Sequence, residues 1–453
     1  MPESLFSRLS VYKITRDMKI LVIGQGTLHW GRLEFGNIGN YYIIEPFFRE
    51  LHRVFPDATI KTTFQMTEEF QKKENITSVP MSMYYAWSEE DLATAYKEYT
   101  IASIYHDTKD FIDSTPYIQE LKSTDLVIDF SGDIWGQNAD LVGPNRFLIG
   151  LLKDRCAQLM GIPTAMIAGS PGPFNRDATL NLAHLVFNDF NLVTNREEIS
   201  KSVLDNFGFN TKNVYSLACP AFEFEPAPYE TIRHFLHGSP LENKKRPVIG
   251  FILCGWNLLK GPFSRTDWTD GEFKNYTDLI QLLVEKYDVD ICLMSHSNGF
   301  VIPPAEFKMI KGRDYPIALE IYNLLQRTNC AEHIYLFDEI YTPAETKGII
   351  GLFDMLISGR VHAAVAALSQ SVPTMIIDYG HEPKAHKLRG FARVANVEQY
   401  VADPHSYEEL VTKATQVYEH REEIRNMLSE RNKEIVLQLK KNFDLLKDIV
   451  KSK

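Results

Sequence analysis

The sequence lacks long apolar runs, and this absence excludes helices of the kind that cross a bilayer. None of its hydrophobic stretches approaches the roughly 20 residues that such a helix needs. The N-terminal segment MPESLFSRLSVYKITRDMK carries charges throughout and has no apolar centre, so it does not resemble a signal peptide. We therefore expect a cytoplasmic protein with no integral membrane segment.

Cysteine is scarce, with five residues dispersed along the 453-residue chain and no Cys-x-x-Cys pair. An odd number of isolated cysteines in apolar surroundings indicates buried free thiols and a reducing compartment rather than a disulfide framework. Because no convincing metal-ligand spacing is present either, we expect no metal site.

An excess of positive charge is also missing, since 48 Lys and Arg face 59 Asp and Glu and the formal net charge is −11. Such a chain is not built to neutralise nucleic-acid phosphates or to lie on an anionic membrane. We expect no nucleic-acid partner, although a local basic patch can still bind a small anion.

What the chain does contain is an alternation of strand and helix patterns. Short apolar runs such as KILVIGQG at 19–26 and TDLVIDFSGD at 124–133 are typical of buried parallel strands. Helical patterns follow them, and one begins with Thr342 as a predicted N-cap and Pro343 at its first position. The alternation predicts an α/β fold of two Rossmann-like domains, with ligands bound in a central cleft at the carboxyl ends of the strands.

A change of composition at 220–247, which is rich in proline and charge, separates the two domains. We predict an N-terminal domain over 18–220, a linker over 221–247 and a C-terminal domain over 248–400. Residues 401–453 have a charged helical pattern and predict a helical tail. No repeat or low-complexity segment is apparent, and the sequence leaves the oligomeric state open.

The sharpest functional pattern is SGRVHAAVAAL at 358–368, which places an arginine and a histidine in a small, apolar segment. A strand ends there and a helix begins, so Arg360 and His362 lie in the first helical turn at the strand-end face. A guanidinium there suits a carboxylate or phosphate, and the free helix N–H groups add to the attraction. His362 can then act as a general acid, because a bound anion would help to keep its imidazole protonated. The alternative, a core histidine with a surface arginine, is weakened by the four alanines, which indicate close packing.

The segment GNIGN at 36–40 precedes a predicted helix. Its glycines let backbone N–H groups approach a ligand, and Asn37 and Asn40 are candidates for contacts to an acceptor. A simple turn explains the pattern equally well. By contrast, GQGTLH at 24–29 lacks the third glycine of a dinucleotide fingerprint, so we do not expect NAD binding.

Two other segments follow predicted strands at the cleft side. In SGDIWGQN, Asp133 can accept hydrogen bonds from hydroxyls and Trp135 can stack on a sugar, although a capped loop with a packed tryptophan explains each residue slightly better. His296 in MSHSNGF is either a ligand contact or a structural histidine. The loop DYGHEPKAHKLRGF at 378–391 contains a basic cluster that includes Lys384 and favours an anion site.

Several of these segments together resemble the polysaccharide pyruvyl transferase family. The pattern comprises SGRVHAAVAALS, then VPTMIIDY, then a loop that bears a lysine. The segments GNIGN, DLVIDFSGDIW, AGSPGPF and TNREEISKSVLDNFGF are similar to other parts of the family. The resemblance covers most of residues 19–395 and is strongest over 353–390.

The resemblance implies a two-domain fold like that of the GT-B glycosyltransferases. It also implies transfer of pyruvate from phosphoenolpyruvate to a sugar diol, which gives a pyruvate ketal and free phosphate without a cofactor. His362 matches the family's catalytic histidine and Arg360 matches one donor-binding arginine, while Arg196 is the candidate for the other. Lys384 is assigned to the donor as well. The residues assigned to the acceptor are Asn37, Asn40, Asp133, Trp135 and His296.

The chain departs from the family pattern at several positions. Asn40 stands where the early glycine loop usually ends in Asp, and Cys219 stands where an Asp is expected before Pro-Ala. One alternative is a GT-B glycosyltransferase that uses a nucleotide-sugar, with Asp378 or Glu382 bound to the ribose. Another is a non-catalytic sugar- or anion-binding relative, against which the presence of both Arg360 and His362 argues.

Overall fold

The structure of the chain, a computed structural model, consists of two α/β domains that face each other across a cleft. It describes residues 18–26, 30–258, 265–302, 305–380 and 385–451. Each domain is built on a parallel sheet whose central strands are buried on both faces. Helices cover both faces, which explains why these strands have continuous apolar sequences rather than alternating ones.

The described residues of the first domain form seven strands and seven helices. The strands are β1 (Lys19–Ile23), β2 (Thr59–Thr62), β3 (Ile76–Ser78), β4 (Leu126–Asp129), β5 (Thr164–Gly169), β6 (Leu192–Asn195) and β7 (Val214–Ser216). The helices are α1 (Ile38–Val54), α2 (Glu68–Lys73), α3 (Asp91–Thr108), α4 (Pro116–Lys122), α5 (Arg146–Leu159), α6 (Ala178–Asn188) and α7 (Ile199–Asn206).

The second part of the chain contains a six-stranded sheet, a hairpin and the remaining helices. Its strands are β8 (Val248–Ile252), β9 (Asp290–Leu293), β10 (Asn298–Val301), β11 (Lys308–Lys311), β12 (Ile334–Leu336), β13 (Met355–Ser358), β14 (Thr374–Ile377) and β15 (Val401–Ala402). The helices are α8 (Tyr229–Ile232), α9 (Lys274–Tyr287), α10 (Tyr315–Leu325), α11 (Pro343–Ile350), α12 (Val361–Leu368), α13 (Ala385–Val394), α14 (Tyr407–Glu419), α15 (Arg421–Asp444) and α16 (Leu446–Lys451).

Both sheets reverse their strand order near the middle. The order is β3-β2-β1-β4-β5-β6-β7 in the first sheet and β12-β9-β8-β13-β14-β15 in the second. The chain therefore moves outward on one side of β1 or β8 and then crosses to β4 or β13 on the other side. Open α/β sheets bind ligands at this reversal, beyond the carboxyl ends of the strands.

The hairpin of β10 and β11 pairs in antiparallel fashion and leaves the second sheet to reach the first domain. Its Phe300 ring lies 6.2 Å from the ring of Phe35 in an edge contact, and the rings of Phe35 and Phe307 are 4.8 Å apart. The hairpin was not predicted from the sequence, and it forms an aromatic contact between the domains beside the cleft.

The C-terminal helices pack back onto the first domain. Asn442 of α15 donates to the carbonyl of Ala218 at 2.9 Å, and Phe443 contacts the ring of Phe47 in α1. Arg53 of α1 also binds Asp444 at 2.9 Å. The tail thus links the end of the second domain to the first.

The predicted fold of two Rossmann-like sheets with a C-terminal helical tail is confirmed. Helix α11 has the predicted cap, in which Thr342 accepts from the N–H of Glu345 and Pro343 occupies the first turn. All five cysteines are buried free thiols. Among the helices that the structure describes, none is both long and apolar enough to cross a membrane.

Candidate active site

A cavity of about 250 Å³ lies between the domains, beyond the carboxyl ends of β1, β4, β8 and β13. This position is where the reversal of strand order in both sheets predicts a ligand site. Seven of the nine site residues proposed from the sequence line the cavity: Asn37, Asn40, Asp133, Arg196, His296, Arg360 and His362. Of the other two, Trp135 lies elsewhere and Lys384 is outside the described residues.

Arg360 occupies the N-cap position of α12, two residues after the end of β13, and is buried. Its Nε donates to Oδ2 of Asp314 at 2.8 Å, and its Nη2 donates to Oδ1 of the same carboxylate. Asp314, itself 1% exposed, raises the pKa of Arg360 against the opposing effect of burial. The fork predicted to hold an anion is thus partly engaged by Asp314. Nη1 of Arg360 is the guanidinium nitrogen that does not donate to Asp314.

His362 lies in the first turn of α12, partly accessible from the cavity. Its Nε2 is enclosed and has no hydrogen-bond partner within the described parts of the chain. Helix α1 approaches it closely, because a Cβ atom added at Gly39 would lie 2.7 Å from the His362 ring. Burial, followed by the charges of Arg196 and Arg360, lowers the pKa of His362 to about 3, while Asp133 acts in the opposite direction. The imidazole is therefore neutral near pH 7 when no other charge is bound.

His296 is a second buried imidazole in the cavity wall, only 1% exposed. Its pKa is lowered well below the usual range by burial and then by the nearby charge of Arg360. Within the described residues, its Nε2 has no hydrogen-bond partner. Buried polar atoms in folded proteins are rarely left unpaired, so two such nitrogens in one cavity indicate a ligand site.

Arg196 and Asp133 line the cavity from the first domain. Arg196 follows β6, and its Nε donates to Oγ of Ser170 at 2.8 Å. Asp133 lies in the loop after β4, where Lys387 of α13 donates to its Oδ2 at 2.9 Å and to its backbone carbonyl at 3.0 Å. The ion pair joins the two domains across the cavity.

Three cationic side chains of the cavity were not assigned from the sequence. Lys387 belongs to the basic cluster identified at 378–391 but was not singled out within it. Arg313 follows the hairpin, and Arg32 lies in a helical turn over Arg32–Gly36. Burial is the main cause that lowers the pKa of Arg32, and the charge of Arg360 adds to it. The same two causes, in the same order of size, lower the pKa of Arg313 to about 10. No local pattern marks either arginine, because distant segments meet at this point.

The prediction that Trp135 contacts an acceptor needs correction. Its indole is fully buried in an aromatic core, with ring centres of Phe147, Phe174 and Phe187 at 5.5, 5.8 and 5.9 Å. A ring enclosed in this way has no face on which a sugar could stack. The alternative that the sequence slightly favoured, a capped loop with a packed tryptophan, is correct for Trp135.

The balance of charge in the cavity is strongly positive. Five cations line it, namely Arg32, Arg196, Arg313, Arg360 and Lys387, and Asp133 is the one carboxylate among the described residues of its wall. Such a concentration in a chain of net charge −11 indicates an anionic ligand. The described residues contain no group of three or more His, Cys, Asp or Glu that could hold a metal ion.

Comparison with known proteins identifies relatives over most of the chain. The family model described as polysaccharide pyruvyl transferase matches residues 37–381. The amylovoran biosynthesis protein AmsJ of Erwinia amylovora is 23% identical over 338 residues, which cover 74% of this chain and 75% of that protein.

Solved structures share the fold at low sequence identity. A glycosyltransferase from Rickettsia africae has a TM-score of 0.55 at 12% identity, covering 96% of this chain and 100% of its own. UDP-GlcNAc 2-epimerase from Neisseria meningitidis, bound to UDP-GlcNAc, has a TM-score of 0.54 with the same identity and coverage. These matches establish a GT-B-like arrangement of the two domains.

Proposed function

The chain belongs to the polysaccharide pyruvyl transferase family and is a transferase, and from this premise we propose the reaction that it catalyses. Pyruvate moves from phosphoenolpyruvate to two hydroxyls of a sugar in a polysaccharide or glycan precursor, and a pyruvate ketal forms. The observation that carries the proposal is the convergence of Arg360 and His362 in a cationic cavity between the domains. The reaction needs no cofactor, because the donor supplies both the pyruvyl group and the leaving group.

The charges of the cavity suit this donor. Phosphoenolpyruvate carries a carboxylate and a phosphate on the same carbon, and guanidinium groups bind both kinds of anion through charge-assisted hydrogen bonds. Arg196 and Arg360 line the same cavity as His362, and after burial both of their charges lower its pKa. A donor held between these arginines would place its methylene carbon near the imidazole.

His362 must gain a proton before it can act as an acid. Its pKa of about 3 keeps it neutral in the free protein, but the negative charges of a bound donor favour the protonated form. We therefore propose that His362 becomes protonated when the donor binds. This coupling limits the acidic form of His362 to the complex in which it is needed.

The proposed reaction proceeds by addition and elimination at one carbon. His362 gives a proton to the methylene carbon, which becomes a methyl group while the central carbon becomes cationic. One sugar hydroxyl adds to that carbon and loses its proton, and the C–O bond to phosphate breaks. The second hydroxyl then adds to the same carbon and loses its proton to the departing phosphate, which closes the ketal. Asp133 is the cavity carboxylate that can accept from an acceptor hydroxyl, and Asn37, Asn40 and His296 provide polar contacts to it.

The test measures phosphate released from phosphoenolpyruvate in the presence of a panel of sugar acceptors. We expect acceptor-dependent release that falls by about 100-fold or more in His362→Ala, because a general acid contributes roughly 10² to 10⁴ to a rate. His420→Ala is the matched control, since that histidine is exposed and lies between α14 and α15, in the C-terminal part of the chain. Undiminished release by a correctly folded His362→Ala variant would refute the assigned role.

A nucleotide-sugar is the second candidate donor, because the cationic cavity would also suit a diphosphate. The ribose contact that this alternative assigns to Asp378 is disfavoured, since its Oδ2 accepts from Nε of Arg389 at 2.9 Å and its Oδ1 from the N–H of Tyr379 at 2.7 Å. Glu382 lies outside the described residues. Thermal stabilisation by UDP or GDP but not by phosphoenolpyruvate would favour the nucleotide-sugar donor.

A further inference from the structure

One face of α13 lies against the first domain at the edge of the cavity. Helix α13 packs on α7, the first-domain helix that follows Arg196 in the chain. Lys387, Gly390 and Phe391 are three and four residues apart, so they share this face of α13. Lys387 donates to Asp133 of the first domain at 2.9 Å. The helix therefore connects the two domains through the residues of one face.

Phe391 contacts one site residue from each domain. The guanidinium carbon of Arg196, from the first domain, lies 5.3 Å from the centre of the Phe391 ring. The ring of His362, from the second domain, lies 5.7 Å from the same centre, with 71° between the two planes. These distances are typical of cation–π and edge-to-face contacts. All three side chains line the cavity, and Phe391 is 1% exposed. One buried ring thus lies against both the guanidinium and the imidazole.

Arg196 is also held from within its own domain. Its Nε donates to Oγ of Ser170 at 2.8 Å, and the N–H of Ser170 donates to the carbonyl of Gly132 at 2.7 Å. Arg196 and Ser170 are both buried. The hydrogen bond to Ser170 and the ring of Phe391 together restrict the rotation of the guanidinium, so its direction depends on both domains.

The close approach of α13 to the first domain depends on Gly390. A Cβ atom added there would lie 2.5 Å from Oε2 and 2.7 Å from Cγ of Glu197, the residue after Arg196. Glu197 is fully buried and its Oε2 accepts from the N–H of Ser200 at 3.0 Å, so its side chain cannot move aside easily. The glycine therefore permits the approach that brings Phe391 to Arg196.

We propose that Phe391 is a positioning residue, which holds the guanidinium of Arg196 and the imidazole of His362 in the relative placement that one donor molecule requires. The inference rests on the proposed function, in which Arg196 binds an anionic group of phosphoenolpyruvate and His362 protonates its methylene carbon. The anionic groups and the methylene carbon are attached to the same central carbon. The two side chains must therefore keep a fixed separation, and a misplacement of about 1 Å is enough to slow a reaction by roughly 100-fold.

The experiment measures affinity for phosphoenolpyruvate by calorimetry and turnover by acceptor-dependent phosphate release. Phe391→Leu keeps an apolar side chain but has no ring face, so we expect both affinity and turnover to fall by about tenfold. Phe391→Tyr retains the ring and should stay within about threefold of the wild type in both. Phe353→Leu is the matched control, because that phenylalanine is also 1% exposed but precedes β13, at the end of the strand remote from the cavity.

A double-mutant cycle separates positioning from simple core packing. If Phe391 acts through Arg196, Phe391→Leu should weaken donor binding by less than about twofold once Arg196 is already alanine. A ring that only supports the fold would cause the same loss in both backgrounds. Gly390→Ala should resemble Phe391→Leu, because the added Cβ displaces α13 even though alanine favours a helix more than glycine does.

The positioning role and the identity of the donor can fail separately. Suppose that the wild type turns over phosphoenolpyruvate. Wild-type affinity and turnover in Phe391→Leu, or equal losses of affinity in the two Arg196 backgrounds, would then overturn the positioning role and leave the proposed reaction intact. If UDP binds with this coupling between Arg196 and Phe391 and phosphoenolpyruvate does not bind, the positioning role stands and the proposed donor is wrong.

Discussion

At position 39 the candidate site depends on the absence of a side chain. Gly39 lies in the first turn of α1, where an added Cβ would approach both Cβ and Nδ1 of His362 to 2.7 Å. Neither atom can retreat easily, since His362 is fixed by the first turn of α12. The glycine of GNIGN thus permits close packing of α1 against α12.

Gly39→Ala should therefore displace His362 and lower turnover by about 100-fold, because misplacement of a catalytic group by about 1 Å has an effect of that size. The measurement is acceptor-dependent phosphate release, with circular dichroism to verify folding. Gly271→Ala is the control, as no atom lies within 4 Å of the added Cβ. Wild-type turnover in the Gly39 variant would contradict the proposed contact.

The single residues also show where sequence reasoning reached its limit. Arg360 and His362 were located correctly because a strand end followed by a helix start is a local pattern. Arg32 and Arg313 were missed because their position depends on two loops from different domains. Trp135 follows a strand as expected, but the local sequence does not show whether a loop turns its aromatic residue toward the cavity or the core.

At the scale of elements, the loop after β4 is held by a buried pair of acids. Asp129 ends β4 and its Oδ1 accepts from the N–H of Ser131 at 2.8 Å, which shapes the loop that leads to Asp133. Asp129 and Asp154 of α5 are both fully buried. Burial is the largest cause that raises the pKa of each carboxyl, and the neighbouring Asp129 adds to the effect on Asp154. The pair is thus most stable when it holds a proton.

This pair makes the stability of the first domain depend on pH. A carboxyl group whose pKa is higher in the folded than in the unfolded chain stabilises the fold at pH values below its unfolded pKa of about 4. This stabilisation is lost as the pH rises through the folded-state pKa. Asp154→Asn should therefore reduce the loss of unfolding free energy between pH 5 and pH 8, as measured by urea denaturation. Asp113→Asn is the control, because that carboxyl is exposed and its pKa is lowered by a hydrogen bond from Lys97. An unchanged pH dependence in Asp154→Asn would refute the shared proton.

The elements themselves were largely predictable, with one informative exception. Parallel strands such as β4 and β13 are buried on both faces, so their continuous apolar sequences predict them. The cap of α11 is predictable because its hydrogen bonds join residues that are close in sequence. The hairpin of β10 and β11 has neither property. Its strands are four residues long and pair only with each other, and the contact of Phe300 with Phe35 comes from the other domain.

At the scale of the whole molecule, the cavity exists only where the two domains meet. Lys387 and Asp133 are paired across it, the hairpin contacts the turn that carries Arg32, and α15 returns to the first domain. Residues from both domains line the wall. Affinity for a ligand in this cavity must therefore depend on contacts that hold the domains together, including contacts remote from the chemistry.

Phe300 tests this dependence. Its ring lies against Gly31, where an added Cβ would be 2.7 Å from it, and it contacts Phe35 in the turn that carries Arg32. Phe300→Ala should weaken that support and reduce affinity for phosphoenolpyruvate by about tenfold, the equivalent of about 1.4 kcal/mol. Turnover at saturating donor should change little, because His362 and Arg360 belong to other elements.

Val301→Ala is the matched control for this prediction. Val301 is the next residue of β10 and is 36% exposed, since successive side chains of a strand point to opposite faces. Its truncation leaves the contact between the hairpin and the first domain intact, so donor affinity should equal that of the wild type. Equal donor affinities in the two variants would show that the hairpin does not position Arg32. A selective loss in Phe300→Ala would show that donor binding is tuned from the domain interface.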